Sequence, residues 1–349
     1  MNVLFLEGDM SRRGGTERMT AILSGYFAIN QKVHIISLRQ AGKSVFYHLN
    51  KNVQYTVLSK TGMINQIFEI RKYIRQNSIE IVINVDVGMG IYGIVASTGM
   101  KTKVITWEHA NYYNNWGSKN FPKLRRIAAR YSDAMVVLTE KDKKNYLDNI
   151  RRCVSITVIP NPSESQKFQY DVGPKMILSA GLFSEIKRFD LIPEIAVKIF
   201  QMHPDWKWVI CGDGPEYENV QSKIQNYNLT DKIILCGSVS DMSKFYQSAA
   251  MYVMTSRMEG LPMVLLEAKA FGLPLVSFDI MTGPSDIIRN GVNGYLIPDG
   301  NLQEMTTRII DLMDNSGLRR QFSNNAKLDM DKFSTESVVE KWEKLIRSL

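Results

Sequence analysis

The chain has 349 residues, 44% of them hydrophobic and 22% charged, with a net charge of +8 at pH 7, enough apolar material for a sizeable core and a length that favours two domains over one. Its three cysteines, Cys153, Cys211 and Cys236, and four histidines, His34, His48, His109 and His203, are scattered, which excludes a zinc module or a disulfide scaffold and puts the thiols in a reducing compartment. Residues 1–165 hold 23 Lys and Arg against 12 Asp and Glu, and residues 166–349 hold 20 against 23, so the basic half calls for a negatively charged partner, an anionic membrane surface or a nucleic acid.

Short Val- and Ile-rich segments alternate with helix-length amphipathic stretches throughout, the pattern of parallel sheets covered by helices. In the first half the predicted strands are 3–6, 33–38, 54–58, 79–85, 104–107, 134–138 and 156–159. In the second they are 176–180, 208–211, 233–236, 251–255, 275–278 and 294–297. The first strand follows Met1-Asn2 with no basic leader or cleavage site, so the mature protein is expected to start there and to stay in the cytoplasm. The most apolar stretch, 79–97, is broken by Glu80, Asn84, Asp86 and three glycines and divides into a strand and a helix rather than a membrane span. Polar and Pro residues over 161–174 mark a domain junction. The last stretch, 334–349, spaces Val338, Trp342, Leu345 and Ile346 as an amphipathic helix that needs a surface to lie on.

Several segments carry chemistry. After the first strand, G-D-M-S-R-R-G-G-T-E-R runs into a helix near Thr16; Gly14 and Gly15 let backbone N–H groups approach a phosphate, yet the spacing is not that of a dinucleotide-binding turn, and on these residues alone a plain surface turn is the better reading. Residues 67–74 with Arg71, Lys72 and Arg75, and residues 121–131 with Lys123, Arg125, Arg126 and Arg130, are basic amphipathic helices; they fit anionic lipid or simply solvated outer faces. His109, in I-T-W-E-H-A-N, lies just past a strand, where parallel sheets bind ligands, beside Glu108 and Asn111. In S-R-M-E-G-L-P-M-V-L-L-E-A-K-A-F, residues 256–271, Gly260 permits a tight turn and Pro262 suits the first helical position. The N–H groups of Met263, Val264 and Leu265 then offer a seat for phosphate. Glu267, set among apolar neighbours, is expected to be buried and to need hydroxyl partners.

The string S-R-x-E-G-x-P followed by E-A closely resembles the signature of glycosyltransferase family 4, retaining nucleotide-sugar transferases of the GT-B fold. G-G-T-E-R, S-A-G-L-F-S-E-I-K-R, C-G-D-G-P, Gly237-Ser238-Val239 and Thr282-Gly283-Pro284 extend the resemblance over nearly the whole chain. It implies two Rossmann-like, doubly wound α/β domains facing a central cleft, over 1–165 and 166–333, with a terminal helix, 334–349, crossing back to the first domain. By resemblance Glu259 and His109 contact the donor sugar, Glu267 the ribose, and the N–H groups of Leu261, Met263 and Val264 the sugar and pyrophosphate. Lys187 matches the lysine on the donor diphosphate, and Gly14 and Gly15 close over it; Gly212 and Val239 stand where the turn and the base are placed. The family's preceding arginine is Leu182 here, and Arg188 occupies a usual glycine position, so Arg188 is the candidate for the missing charge.

A nucleoside diphosphate is already a good leaving group, so the protein has chiefly to bind it and stabilise growing negative charge. Lys187, Arg257, Arg188, the helix start after Gly260 and the Gly14-Gly15 backbone suit that task. The only D-x-D pattern, Asp329-Met330-Asp331, is remote from every donor motif and reads as a solvated helix terminus. The expectation is therefore metal-independent, cofactor-free, retaining transfer of a hexose or N-acetylhexosamine to a glycan or lipid-linked acceptor in surface polysaccharide synthesis, such as lipopolysaccharide or capsule. UDP is preferred by family frequency, with GDP the alternative. Two other classes compete: a GT-B sugar-nucleotide epimerase, and a basic binding module for nucleic acid, which the absence of a recognised binding motif disfavours.

Overall fold

The computed structural model describes residues 1–115 and 117–349. The chain forms two compact units, Met1–Pro162 together with Thr335–Leu349, and Ser163–Ser334.

The first unit holds a parallel sheet of β1 (Asn2–Glu7), β2 (Lys32–Ser37), β3 (Val53–Val57), β4 (Ile81–Val85), β5 (Lys103–Trp107), β6 (Ala134–Val137) and β7 (Ser155–Val158) in the order β3-β2-β1-β4-β5-β6-β7. Its crossovers are α1 (Gly15–Phe27), α2 (Met63–Gln76), α3 (Val87–Ser97), α4 (Phe121–Tyr131) and α5 (Glu140–Asn149). The strands read as unbroken apolar runs because both sheet faces are covered. Leu4 and Leu6 pack with Ile70 and Ile74 of α2, while Phe5, pointing the other way, meets Phe27 of α1 at 6.1 Å between ring centroids.

The second unit repeats the plan with β8 (Met176–Ala180), β9 (Lys207–Cys211), β10 (Ile233–Leu235), β11 (Met251–Met254), β12 (Leu275–Asp279) and β13 (Gly294–Pro298), ordered β10-β9-β8-β11-β12-β13. Around it lie α6 (Ile192–Met202), α7 (Tyr217–Asn226), α8 (Ser243–Ser248), α9 (Met263–Ala270), α10 (Pro284–Ile287), α11 (Leu302–Asp314) and α12 (Ser316–Ala326). Ile195 and Ile199 of α6 and Met305 and Ile309 of α11 close one core with Ile177, Trp208 and Val276 of the strands. Every predicted strand is present, with ends displaced by no more than two residues.

The terminal helix α13 (Thr335–Arg347) belongs to the first unit. It buries Val338, Trp342, Leu345 and Ile346, and the Trp342 indole meets Trp107 of β5 edge-on at 5.2 Å. Truncating such an indole to alanine costs about 3–5 kcal/mol, which is what keeps an otherwise polar helix docked. No helix among the described residues is long and apolar enough to cross a membrane.

One sequence expectation is corrected here. Arg125 does not lie on an outward basic face: it shares the inner side of α4 with Ala128 and Ala129 and is 1% exposed. Its guanidinium donates to Asn115 Oδ1 at 2.6 Å and to the Asn114 carbonyl, and stands 3.5 Å from the Glu108 carboxylate. Glu108 is fully buried, accepting from Tyr146 Oη (2.7 Å) and the Ala110 N–H (3.0 Å). A charge can be held there only because it is paired and hydrogen-bonded. Lys123, Arg126 and Arg130 are the exposed cations of α4.

Candidate functional site

In both sheets the strand order reverses once, and at such a point the loops leaving two neighbouring strands diverge and open a crevice at the carboxyl edge. In the second unit the reversal falls between β8 and β11. The loop after β8 carries Gly181 to Arg188, and the loop after β11 carries Thr255 to Pro262. These two loops are tied together. Thr255 Oγ1 donates to the Lys187 carbonyl (2.7 Å), the Arg257 N–H donates to the Ile186 carbonyl (2.9 Å), and Lys187 Nζ lies 2.6 Å from Glu259 Oε1. Both partners of that ion pair are mostly buried, 19% and 13% exposed. Thr282 Oγ1 donates to the Glu259 carbonyl. Gly283 takes φ +99 and lies so close to Gly260 and Pro262 that a Cβ would fall 2.5 Å from Pro262 Cδ and 2.9 Å from the Gly260 carbonyl oxygen. Glycine is thus required at 283 by contact as well as by conformation.

The helix beyond this loop starts later than the sequence suggests. Pro262 is the N-cap of α9, with φ −71 and ψ 105, rather than its first residue. The Leu265 and Leu266 N–H groups both donate to the Pro262 carbonyl, at 3.1 and 3.2 Å, so the phosphate seat is reduced to Met263 and Val264. Leu265, Leu266, Ala268, Lys269 and Ala270 turn inward, leaving Met263, Val264 and Glu267 as the accessible face. Glu267 is therefore half-buried on an open face rather than enclosed by its apolar neighbours, because positions i and i+4 share a side of the helix. Its Oε2 accepts from Tyr246 Oη at 2.8 Å.

Arg188, the candidate for the charge missing at position 182, is engaged by groups of its own unit. Leu182 is 61% exposed, and the Arg188 guanidinium turns back onto its own unit. Nε donates to the Thr255 carbonyl (2.9 Å), Nη2 donates to the Ser256 carbonyl (3.1 Å) and pairs with Asp299 at 2.5 Å, and the group lies over the Phe278 ring at 4.9 Å. Its backbone adopts φ 51, ψ 39, the left-handed region that suits glycine and costs another residue about 1–2 kcal/mol. The side-chain contacts offset that strain and fix the base of the Glu259 loop. Arg257 is 50% exposed, 3.5 Å from Glu185, and Asp329 of the D-x-D pattern pairs with Arg289. No group of three or more His, Cys, Asp or Glu able to hold a metal occurs among the described residues.

Gly212 has φ +143, and a Cβ there would overlap the Gly181 carbonyl oxygen at 1.9 Å. Its N–H donates to the Gly237 carbonyl at 2.7 Å. The turn after β9 is thereby pressed between the Lys187 loop and the segment leading to Val239.

In the first unit, Gly14 is the N-cap of α1 and Gly15 its first residue. The Glu17 carboxylate folds back over the helix start, where a Cβ on Gly14 would fall 2.1 Å from its Oε2. His109 follows β5 with its ring against Trp107, 4.1 Å between centroids. Its Nε2 meets no hydrogen-bonding partner among the described residues, and burial pushes its pKa down to about 3, so the imidazole is neutral. Glu108 turns into the core; burial, then the nearby Asp86, push its carboxyl well up. Tyr246, Thr255, Phe278 and Asp299, which hold the site residues, had no signal in the sequence because each acts through a partner distant along the chain.

Lys269 anchors α9 from beneath. It is 2% exposed, donates to the Ile287 carbonyl of α10 at 3.1 Å, and lies 5.9 Å from the centre of the Phe333 ring. Burial, with the charge of Lys332, pushes its pKa down to about 8. Between that value and about 10.5 the unfolded chain holds the proton that the native protein has lost. Stability conferred through this group is thus absent below the folded pKa and grows as pH rises, by up to about 3 kcal/mol. Urea denaturation from pH 7 to 10 is expected to show this rise in the wild type and to lose it in Lys269→Met; parallel profiles would refute it.

A model of glycosyl transferases group 1 matches residues 161–329, and one of glycosyltransferase family 4 matches residues 13–166. The amylovoran biosynthesis glycosyltransferase AmsD of Erwinia amylovora is 26% identical, with 99% of each chain covered. The GalNAc-alpha-(1->4)-GalNAc-alpha-(1->3)-diNAcBac-PP-undecaprenol alpha-1,4-N-acetyl-D-galactosaminyltransferase of Campylobacter jejuni is 26% identical over 99% of this chain and 98% of its own. The crystal structure of Anabaena HepE with UDP-glucose superposes with a TM-score of 0.85 at 14% identity over the full length of both chains, a likeness of GT-B fold. Two units built on matching sheets, with the E-G-x-P loop at the strand-order reversal of the second, belong together with these matches, and the chain is a member of the group 1, family 4 glycosyltransferases.

Proposed function

We propose that the protein is a retaining, metal-independent hexosyl or N-acetylhexosaminyl transferase that takes its sugar from a UDP-sugar and works on a glycan or lipid-linked acceptor of a bacterial surface polysaccharide. The observation that carries this reading is the Lys187–Glu259 ion pair at the strand-order reversal, beside the open face of Met263, Val264 and Glu267. An incoming diphosphate takes over the Lys187 ammonium and the α9 N-terminus, and Glu259, released from its partner, turns to the sugar hydroxyls. Glu267, oriented by Tyr246, accepts from the vicinal hydroxyls of the ribose. Charge growing on the leaving group meets Lys187 and Arg257, and the leaving phosphate accepts the acceptor's proton. The neutral His109 imidazole serves as a hydrogen-bonding contact to the donor sugar rather than as an acid. The polysaccharide setting is supported by the amylovoran and undecaprenol-linked names of the relatives, and the UDP donor by the UDP-glucose bound to HepE.

We place the protein in the cytoplasm, at the inner face of the membrane. On α2 the exposed Ile64 and Phe68 stand in line with Lys72 and Arg75, an apolar and basic stripe fit for an anionic lipid surface. Equal pelleting with neutral and anionic vesicles would remove that contact.

A ligand that binds only the native state raises apparent stability. Thermal melting with UDP, GDP, ADP and a panel of UDP-sugars is expected to show a shift with UDP or one UDP-sugar that survives EDTA; no shift with any nucleotide would sink the reading. Lys187→Ala is expected to lower turnover by about 10²- to 10³-fold, and near-normal turnover would remove Lys187 from the mechanism.

A further inference from the structure

Two thiols that stand apart in the sequence meet at the carboxyl edge of the second sheet. β9 and β10 are parallel and paired in register, Trp208 with Ile233, Val209 with Ile234 and Ile210 with Leu235, so the next step of the ladder sets Cys211 beside Cys236. The pairing reaches that far, because the Cys236 N–H donates to the Ile210 carbonyl at 3.0 Å. Register partners in a parallel pair send their side chains to the same face, and the Cys236 thiol is the hydrogen-bonding neighbour of the Cys211 thiol. Neighbouring strands lie about 4.7–4.9 Å apart, inside the roughly 4.4–6.8 Å between Cα atoms that a disulfide spans. Both thiols are free.

The two strands differ in their freedom to move. β9 lies inside the sheet, whereas β10 is its outer strand and only three residues long. Cys211 is 2% exposed, its carbonyl accepts from the Gly181 N–H at 3.0 Å, and the Gly181 carbonyl oxygen fills the space that a Cβ on Gly212 would need. Burial, then the neighbouring Cys236, push the Cys211 thiol up to about 12, so it stays protonated. Cys236 is partly exposed, and Gly237 after it takes φ +64 with open space where a Cβ would stand. Any adjustment that draws the two sulfurs together therefore falls on Gly237-Ser238-Val239, the segment that the family resemblance gives to the nucleotide base.

We infer that Cys211 and Cys236 are a redox modification site: a peroxide converts them to a disulfide that shifts residues 237–239 and weakens nucleotide binding, and a thiol reductant restores both. The accessible Cys236 sulfur attacks the peroxide; an S–O bond forms, the O–O bond breaks, and the released oxygen takes the Cys236 proton and leaves as water. The Cys211 sulfur then attacks that of Cys236; the S–S bond forms, the S–O bond breaks, and the hydroxyl takes the Cys211 proton and leaves as a second water. Two thiols are oxidised by two electrons and one peroxide is reduced. A bond with one sulfur near the surface is of the labile, reducible kind. The inference rests on the transferase reading and adds a control on its donor site.

The test takes the full chain, reduced and then treated with a small molar excess of hydrogen peroxide, and reads it by peptide mass mapping and by calorimetric titration with UDP. A pair of peptides linked through Cys211 and Cys236 is expected. UDP is expected to bind about tenfold or more weakly after oxidation, the scale of losing a hydrogen bond or two, and to recover in dithiothreitol. Cys236→Ser and, separately, Cys211→Ala are expected to keep the affinity of the reduced wild type and to be indifferent to peroxide. Cys153→Ser, which removes the free thiol of the first unit, is expected to respond as the wild type does. Oxidation that stops at separate sulfinic or sulfonic acids, a Cys211–Cys236 bond that leaves UDP affinity unchanged, or a loss of affinity that persists in both Cys236→Ser and Cys211→Ala would each overturn the assignment. A reduced wild type that binds no nucleotide would instead overturn the transferase reading beneath it, while mass mapping still decides whether the bond forms.

Discussion

The second unit depends on the mutual fastening of two loops at the point where its strand order reverses. A parallel sheet leaves its loops free at the carboxyl edge, so a site built there must be rigidified by contacts the sheet itself does not provide. Here the Lys187 carbonyl accepts from Thr255, the carbonyls of Thr255 and Ser256 accept from Arg188, and the Ile186 carbonyl accepts from the Arg257 N–H. Backbone groups that would otherwise be unsatisfied become the fastening. The Lys187–Glu259 pair sits on that frame. Because it is partly shielded from water, each charge is held in place by the other.

Arg188 shows how a departure from a family pattern is absorbed. The position demands the left-handed backbone, which is why glycine suits it. An arginine there is strained, but its long side chain reaches three acceptors and an aromatic face. The charge is held within the second unit and braces the loop that presents Glu259.

The first unit meets a different constraint. Charged groups lie in its interior because α4 brings Arg125 against Glu108, and neither is left alone: Tyr146, Ala110 and Asn115 complete the set. That arrangement fixes the turn after β5, from which His109 emerges, while Trp107 bridges His109 and Trp342 of the terminal helix. The histidine's environment is thus maintained by the last helix of the chain, some 230 residues away in sequence.

Alternation of β-branched runs with amphipathic stretches was enough to place every strand, since burial on both faces leaves a periodicity that local sequence carries unaided. The E-G-x-P, G-G-x-E-R and G-D-G-P strings were legible for the same reason: tight turns and helix starts need particular residue types at short spacing. What the sequence could not decide was direction. Arg125 was indistinguishable from its basic neighbours on α4 until packing turned it inward, and Glu267 looked buried until α9 was seen to present positions 263, 264 and 267 on its open side. Where the Arg188 side chain goes depended on Thr255, Asp299 and Phe278, which only the folded sheet brings within reach. Local propensity and turn chemistry are properties of neighbouring residues and are written in order along the chain. The partners that satisfy a buried charge come from distant strands, and only the tertiary structure selects them.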